Sequence, residues 1–160
     1  MKFKLIIISF FCLFVLTGFS YSKRAFPVQF RGIEISYGAY DIMGAVDLNI
    51  LGWRFLSFKP NIRYAPFSQL FKWGMLFEYY PMTMFDLNFW IFGDTGLNPF
   101  VFTGLEFQEG AKAAYVPLGI GVQSEVFSDV YLGLRVYMDM YFHKIGVYAG
   151  WDFTLEYKFF

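Results

Sequence analysis

Residues 129–142 read DVYLGLRVYMDMYF, and the way this stretch divides into two faces decides the fold. Val130, Leu132, Leu134, Val136, Met138, Met140 and Phe142 share one parity, while Asp129, Tyr131, Gly133, Arg135, Tyr137, Asp139 and Tyr141 share the other. Side chains alternate across a β-strand with a period of two, so as a strand this stretch has one wholly apolar face and one face carrying every charge. On a helix of about 3.6 residues per turn the same two sets would scatter around the circumference.

The rule extends in both directions. Val147, Ala149, Trp151, Phe153, Leu155, Tyr157 and Phe159 alternate with Tyr148, Gly150, Asp152, Thr154, Glu156 and Lys158. Val116, Leu118, Ile120, Val122 and Val126 alternate with Pro117, Gly119, Gly121, Gln123 and Glu125, Ser124 being the one polar member of the apolar face. Phe71, Trp73, Met75, Phe77 and Tyr79 alternate with Lys72, Gly74, Leu76, Glu78 and Tyr80, and Ile33, Ile35, Tyr37 and Ala39 with Gly32, Glu34, Ser36 and Gly38. Phe85, Leu87, Phe89 and Ile91 alternate in the same way with Asp86, Asn88, Trp90 and Phe92. Segments of about 10 to 15 residues exceed the usual soluble strand and match the length needed to cross lipid at a tilt.

Composition explains what the apolar faces are for. Of 160 residues, 57% are hydrophobic and 24% aromatic, but only 16% are charged, too few for a water-facing surface of ordinary polarity. A membrane barrel gives that excess a destination by turning alternate side chains into lipid, where a soluble sandwich or lipocalin-like barrel would have to hide it. In lipid an open sheet edge leaves backbone groups unpaired at several kcal/mol each, so the sheet must close. The expected fold is all-β, a closed antiparallel transmembrane β-barrel. Thirteen Lys plus Arg balance thirteen Asp plus Glu, which leaves no basic excess for phosphates and argues against nucleic acid as a partner.

The first residues have a different character. Lys2 and Lys4 precede the apolar run 5–16, and Gly18, Ser20 and Ser22 follow it, the order of a secretory signal with cleavage after Ser20 or Ser22. The run is short for a membrane helix of about 20 residues. Cys12 lies too early, inside the apolar core, for a lipoprotein anchor, and its loss with residues 1–22 leaves the barrel domain, 23–160, without cysteine. Neither disulfides nor thiolate ligands then support the fold.

Turn signals at 41–43, 58–61 (Phe58-Lys59-Pro60-Asn61), 68–69, 80–82, 93–96, 109–110, 127–129 and 143–144 bound nine segments, an odd number for a barrel of even strand count. Parity slips around Gly52, since Val46, Leu48 and Ile50 hold one phase and Trp53 and Phe55 the other. A bulge there would merge two segments and a turn would raise the count toward ten. Eight strands is the expectation, with ten open.

Eight strands enclose a space only wide enough for side chains. Glu34, Glu78, Glu125, Arg135, Asp139, Asp152 and Glu156 are the expected lumen-lining residues, accompanied by Asp47, Lys72, Asp86, Glu106 and Lys158, with Arg54 and Arg63 in the region of uncertain phase. Mixed signs in a low-dielectric interior call for ion pairs. The recurrent glycines at 32, 38, 74, 104, 119, 121, 133 and 150 make room for inward Tyr, Trp and Arg or ease curvature. His143, the one histidine, stands beside Lys144, and no serine among Ser36, Ser124 and Ser128 has a spacing that builds a hydrolase with it. No catalytic residue, metal site or cofactor is expected.

Residues 30–160, and most strongly YVPLGIGVQSEVFSDVYLGLRVYMDMYF (115–142) and GWDFTLEYKFF (150–160), resemble the small bacterial outer-membrane barrels that include OmpA-like and OmpW-like proteins. The usual terminal register is shifted by one, with the outward parity ending on Phe159. The resemblance implies the bacterial cell outer membrane as location, and outer-membrane lipid, lipopolysaccharide and the barrel assembly machinery as partners. It keeps three roles in view: a non-enzymatic membrane-spanning structural or surface protein, a narrow porin-like channel or transporter for a small solute, and a lipid-modifying enzyme. Export before folding predicts that cell fractionation recovers a chain beginning at Tyr21 or Lys23 in the outer membrane. Full-length protein with Lys2 retained in the inner membrane is the contrary result.

Overall fold

The computed structural model describes residues 28–50, 54–84, 96–109, 113–142 and 147–159. The signal segment 1–22, Asp86, His143 and the alternating stretch 85–92 lie outside them. Eight strands, β1 (Val28–Gly38), β2 (Ile42–Ile50), β3 (Leu56–Ala65), β4 (Leu70–Tyr79), β5 (Asn98–Gln108), β6 (Ala113–Phe127), β7 (Val130–Tyr141) and β8 (Val147–Lys158), pair in sequence order as one closed barrel. A four-residue helix, α1 (Pro81–Met84), follows β4. Every pairing is antiparallel, and β1 closes on β8 from Gly32↔Lys158 to Gly38↔Asp152.

The surplus segment in the sequence reading is resolved by this order. β4 pairs directly with β5, from Lys72↔Gln108 to Tyr79↔Val101, so the ring is complete without residues 85–92. β2 and β3 are separate antiparallel strands, so the parity slip near Gly52 marks a reversal of direction. Phe58-Lys59-Pro60-Asn61, expected as a turn, lies inside β3.

Proline is tolerated in β3 because it disturbs one neighbour alone. Pro60 keeps its rung to Met75 on β4, whereas the β2 ladder passes from Ala45↔Asn61 to Leu48↔Phe58 and omits the rungs between. Proline has no N–H to give, and that side of the strand is where the ladder is interrupted. Pro117 repeats the arrangement, with a rung to Asp139 on β7 and a gap toward β5 between Thr103↔Leu118 and Glu106↔Tyr115.

Call the end with Val28 and Lys158 the near end. Its connections are 51–55, the long 80–97 and the tight Ser128-Asp129 turn, in which Asp129 takes φ 66°. The far end has only the short connections 39–41, 66–69, 109–112 and 142–146.

The wall is inverted relative to a soluble protein. Ile35, Ile120, Val136 and Phe153 are all more than half exposed. Among the described residues, seventeen buried side chains are polar or charged and nine are hydrophobic, so water cannot be the solvent that favours this exterior. The twelve residues of β7, at about 3.4 Å each and tilted by about 40°, span about 30 Å, enough to cover an apolar band about 25 Å tall. Aromatic rings pair along the wall near both rims: Phe55 with Tyr79 and Tyr157 with Phe159 at the near end, Tyr64 with Phe71 and Trp73 with Phe107 toward the far end. Rings of this kind favour the headgroup boundary.

Leu134 lies in the middle of the outer face of β7, and Tyr148 at the far-end start of β8, 66% exposed. Leu134→Arg is therefore expected to cost about 2–4 kcal/mol in reversible unfolding from lipid bilayers, and Tyr148→Arg about 1 kcal/mol or less. Equal losses would contradict the assignment of faces.

Candidate functional site: the lumen

Inward parity brings charges from distant parts of the chain onto one axis, where they form two clusters. In the near-end cluster, Lys59 on β3 places Nζ 2.6 Å from Glu34 Oε2, 2.9 Å from Glu78 Oε2 and 3.3 Å from Glu156 Oε2. Arg135 on β7 donates to both oxygens of Glu34 and to Oε1 of Glu78. Lys158 reaches Glu156 at 3.6 Å. Asp47 is held beside this group by Ser57, whose hydroxyl donates to its Oδ1 at 2.5 Å.

The far-end cluster is built on Arg63. Its Nε donates to Glu106 Oε1 at 3.0 Å, and its Nη1 to Asp41 Oδ1 at 3.1 Å and to Asp152 Oδ2 at 3.0 Å. Lys72 donates to Asp41 Oδ2 at 3.3 Å. Two phenols complete the shell: Tyr115 donates to Glu106 Oε2 at 2.6 Å and Tyr137 to Asp152 Oδ1 at 3.1 Å.

Between and beside the clusters runs an aromatic column. Tyr80, just beyond β4, packs on Phe100 with centroids 5.1 Å apart, Phe100 on Phe102 at 6.2 Å, and Phe102 on Tyr137 at 6.1 Å. The Arg135 guanidinium lies 5.7 Å from both the Phe100 and Phe102 ring centres, a cation–π geometry that joins the column to the near-end ion pairs. Tyr80 also donates to Glu78 Oε2 at 2.6 Å, which turns its ring into the near-end mouth.

Glycine makes this filling fit. A Cβ at Gly121 would stand 2.3 Å from the Phe100 ring, and one at Gly119 2.8 Å from Phe102, the residues directly opposite them on β5. Gly150 faces Tyr137 across the β7–β8 ladder, where a Cβ would come within 2.6 Å of the ring. Each large ring thus lies over the bare backbone of a neighbouring strand. Gly74 and Gly38 do the same for Glu106 and Asp152.

Of the residues expected to line the lumen, Glu34, Glu78, Arg135, Asp139, Asp152 and Glu156 are buried inside the barrel, as are Asp47 and Glu106. Glu125 is not: it is exposed at the near-end rim, where the register shifts between Glu125 and Phe127. There its Oε1 accepts from the Asp129 N–H at 3.2 Å and its Oε2 from the Tyr131 hydroxyl at 3.3 Å, so it caps the β6–β7 turn. Arg54 is exposed before β3, whereas Arg63 is buried at the centre of the far-end cluster. Ser36 is buried in the wall of β1, and Ser128 occupies the near-end turn before β7.

Sequence reasoning missed Lys59, because Lys-Pro-Asn reads as a turn. The signal was present nonetheless: Ser57, Lys59, Asn61 and Arg63 alternate with Phe58, Pro60, Ile62 and Tyr64. It missed Asp41 for a similar reason, and it missed the inward Phe100 and Phe102 because β5 carries apolar residues on both faces. The glycines opposite them are the mark that could have exposed them.

No known protein family matches the chain, and no curated protein matches it. Among solved structures, one described as "De novo design of transmembrane beta-barrels" superposes with a TM-score of 0.52 at 14% identity, covering 86% of this chain and 99% of that one. The likeness is one of fold: a closed, eight-stranded antiparallel barrel.

Adding a methyl at Gly121 forces Phe100 to move in a filled lumen. Gly121→Ala is expected to destabilise the barrel by about 1–3 kcal/mol, and Phe100→Leu in the same chain to recover part of that loss. A denaturant double-mutant cycle in lipid measures the coupling, and strictly additive effects would contradict the contact.

Proposed function

We propose that this chain is a non-enzymatic, membrane-spanning structural barrel of a bacterial outer membrane, closed to the passage of ions. One observation carries the reading: the lumenal ion pairs bridge opposite walls. Arg135 on β7 reaches Glu34 on β1 and Glu78 on β4, and Lys59 on β3 reaches β1, β4 and β8. Side chains that meet across the bore in this way favour a closed lumen over an axial water column, and eight strands provide no extra width for one. The aromatic column occupies the side of the bore that the charges leave.

The outer-membrane location rests on the exposed apolar wall and on the resemblance of residues 115–160 to small outer-membrane barrels, of which OmpA-like and OmpW-like proteins are the finer comparison. The same resemblance supports lipid and lipopolysaccharide as surroundings and the barrel assembly machinery as the partner in insertion, with β8 presenting Trp151, Phe153, Leu155 and Tyr157 outward. Short far-end connections favour a structural role over an adhesive one, because they extend little surface beyond the membrane.

Single-channel recording of refolded protein in planar bilayers tests the closed lumen. Little or no steady current is expected from the wild type. A large, stable wild-type conductance that changes with Arg135→Ala and Glu78→Ala would overturn the proposal.

A further inference from the structure

The far-end cluster is not balanced. Four carboxylates, Asp41, Glu106, Asp139 and Asp152, share Arg63 and Lys72, and all four are buried. The ion pairs go to three of them. Asp41 receives Arg63 on one oxygen and Lys72 on the other, Glu106 receives Arg63 and Tyr115, and Asp152 receives Arg63 and Tyr137. Asp139 has no ion-pair partner among the described residues, is 7% exposed, and its Oδ1 has no hydrogen-bond donor.

The residues paired with Asp139 on the neighbouring strands carry no charge. On β7 its inward neighbours are Tyr137 and Tyr141; across the ladders it faces Pro117 on β6 and Tyr148 on β8. Among the described residues, the other charged groups acting on it are Lys72 from β4, Glu106 from β5, Arg63 from β3 and Asp41 from the β1–β2 connection, with Asp152 on β8 held by Arg63. Tyr115 on β6, stacked on Tyr141, spends its hydroxyl on Glu106. A buried carboxylate left with a bare oxygen among other carboxylates does not persist as an isolated charge.

We propose that Asp139 is the seat of one positive charge taken up from solution through the far-end mouth, a proton or a small monovalent cation bound at Oδ1. The described residues include no group of three or more His, Cys, Asp or Glu arranged to hold a metal ion, so a caged multivalent ion does not fit. Occupancy neutralises Asp139, the carboxylate without an ion-pair partner, and leaves Lys72 on Asp41. A vacant site sets Asp139 in competition with Asp41 for the same ammonium.

The test compares wild type with Asp139→Asn, which keeps the shape and removes the charge, refolded into lipid. Folding equilibria are measured from pH 5 to 9 in sodium, potassium and tetramethylammonium salts at one ionic strength, and infrared spectra are recorded over the same range. If a proton is the occupant, folding takes it up above about pH 4, where a free aspartate has lost it. The stability it contributes is complete below that pH and falls as pH rises until the folded group also releases the proton. The wild-type to variant ratio of folding constants then declines by up to about tenfold per pH unit, and a carboxylic-acid C=O band is present in the wild type and absent from the variant. If a cation is the occupant, the ratio follows sodium or potassium over tetramethylammonium, and no acid band is seen. A ratio independent of both pH and cation would overturn the site. Should the variant fail to fold, the wild type alone decides: the absence of both an acid band and a cation-dependent stability contradicts the proposal.

Discussion

An eight-stranded ring has a bore of side-chain width, so any charge placed on its inner face must find a counter-charge on another wall. The rest of the molecule follows from that restriction. Arg135 can satisfy Glu34 and Glu78 together only because β1 and β4 lie within reach of one guanidinium across the axis. Lys59 can serve three carboxylates because its ammonium reaches glutamates on β1, β4 and β8 together. Arginine suits the positions that bridge walls, since its planar fork offers several donors in fixed directions. Such a lattice contributes less to net stability than its count of ion pairs suggests, because desolvation offsets much of the attraction. Its greater effect is on register. A strand slipped by one residue would turn these charges into lipid and the leucines into the bore.

The same restriction explains the glycines. Phe100 and Phe102 are too large to stand opposite another side chain in so narrow a space, and each faces a glycine on β6. Two ways of filling the bore thus coexist: charges matched by charges along β1, β3 and β8, and rings matched by bare backbone along β5 and β6. Arg135 belongs to both, with its guanidinium paired to carboxylates and set against the two phenylalanines.

Much of this was legible in residue order, and the failures have physical causes. Parity along 129–142 and 147–158 reports a two-sided environment, and the inner and outer faces of β7 and β8 follow from it directly. Parity does not say whether a two-sided stretch is a member of the ring, and so 85–92 entered the count. Pro60 reads as a break because proline removes a donor, yet a strand between two neighbours can lose a rung on one side and keep the other. The lumenal acids were visible one by one, but their partners were not. Arg135 lies 101 residues from Glu34 and 57 from Glu78, and nothing local encodes those encounters. Glu125 shows the converse. It has the right parity, but it lies past the end of the bore, where a turn N–H and a phenol claim its oxygens.

The two ends of the barrel solve the matching problem differently. At the near end the strand ends bring further donors: Lys158 joins Lys59 at Glu156, and Tyr80 folds back from beyond β4 to donate to Glu78. At the far end the described connection residue that enters the ion pairs is Asp41, and it brings another negative charge. The shortness that limits what the far end can present outside the membrane therefore also limits what it can bring back into the bore. That leaves a carboxylate on β7 without a counter-charge among the described residues.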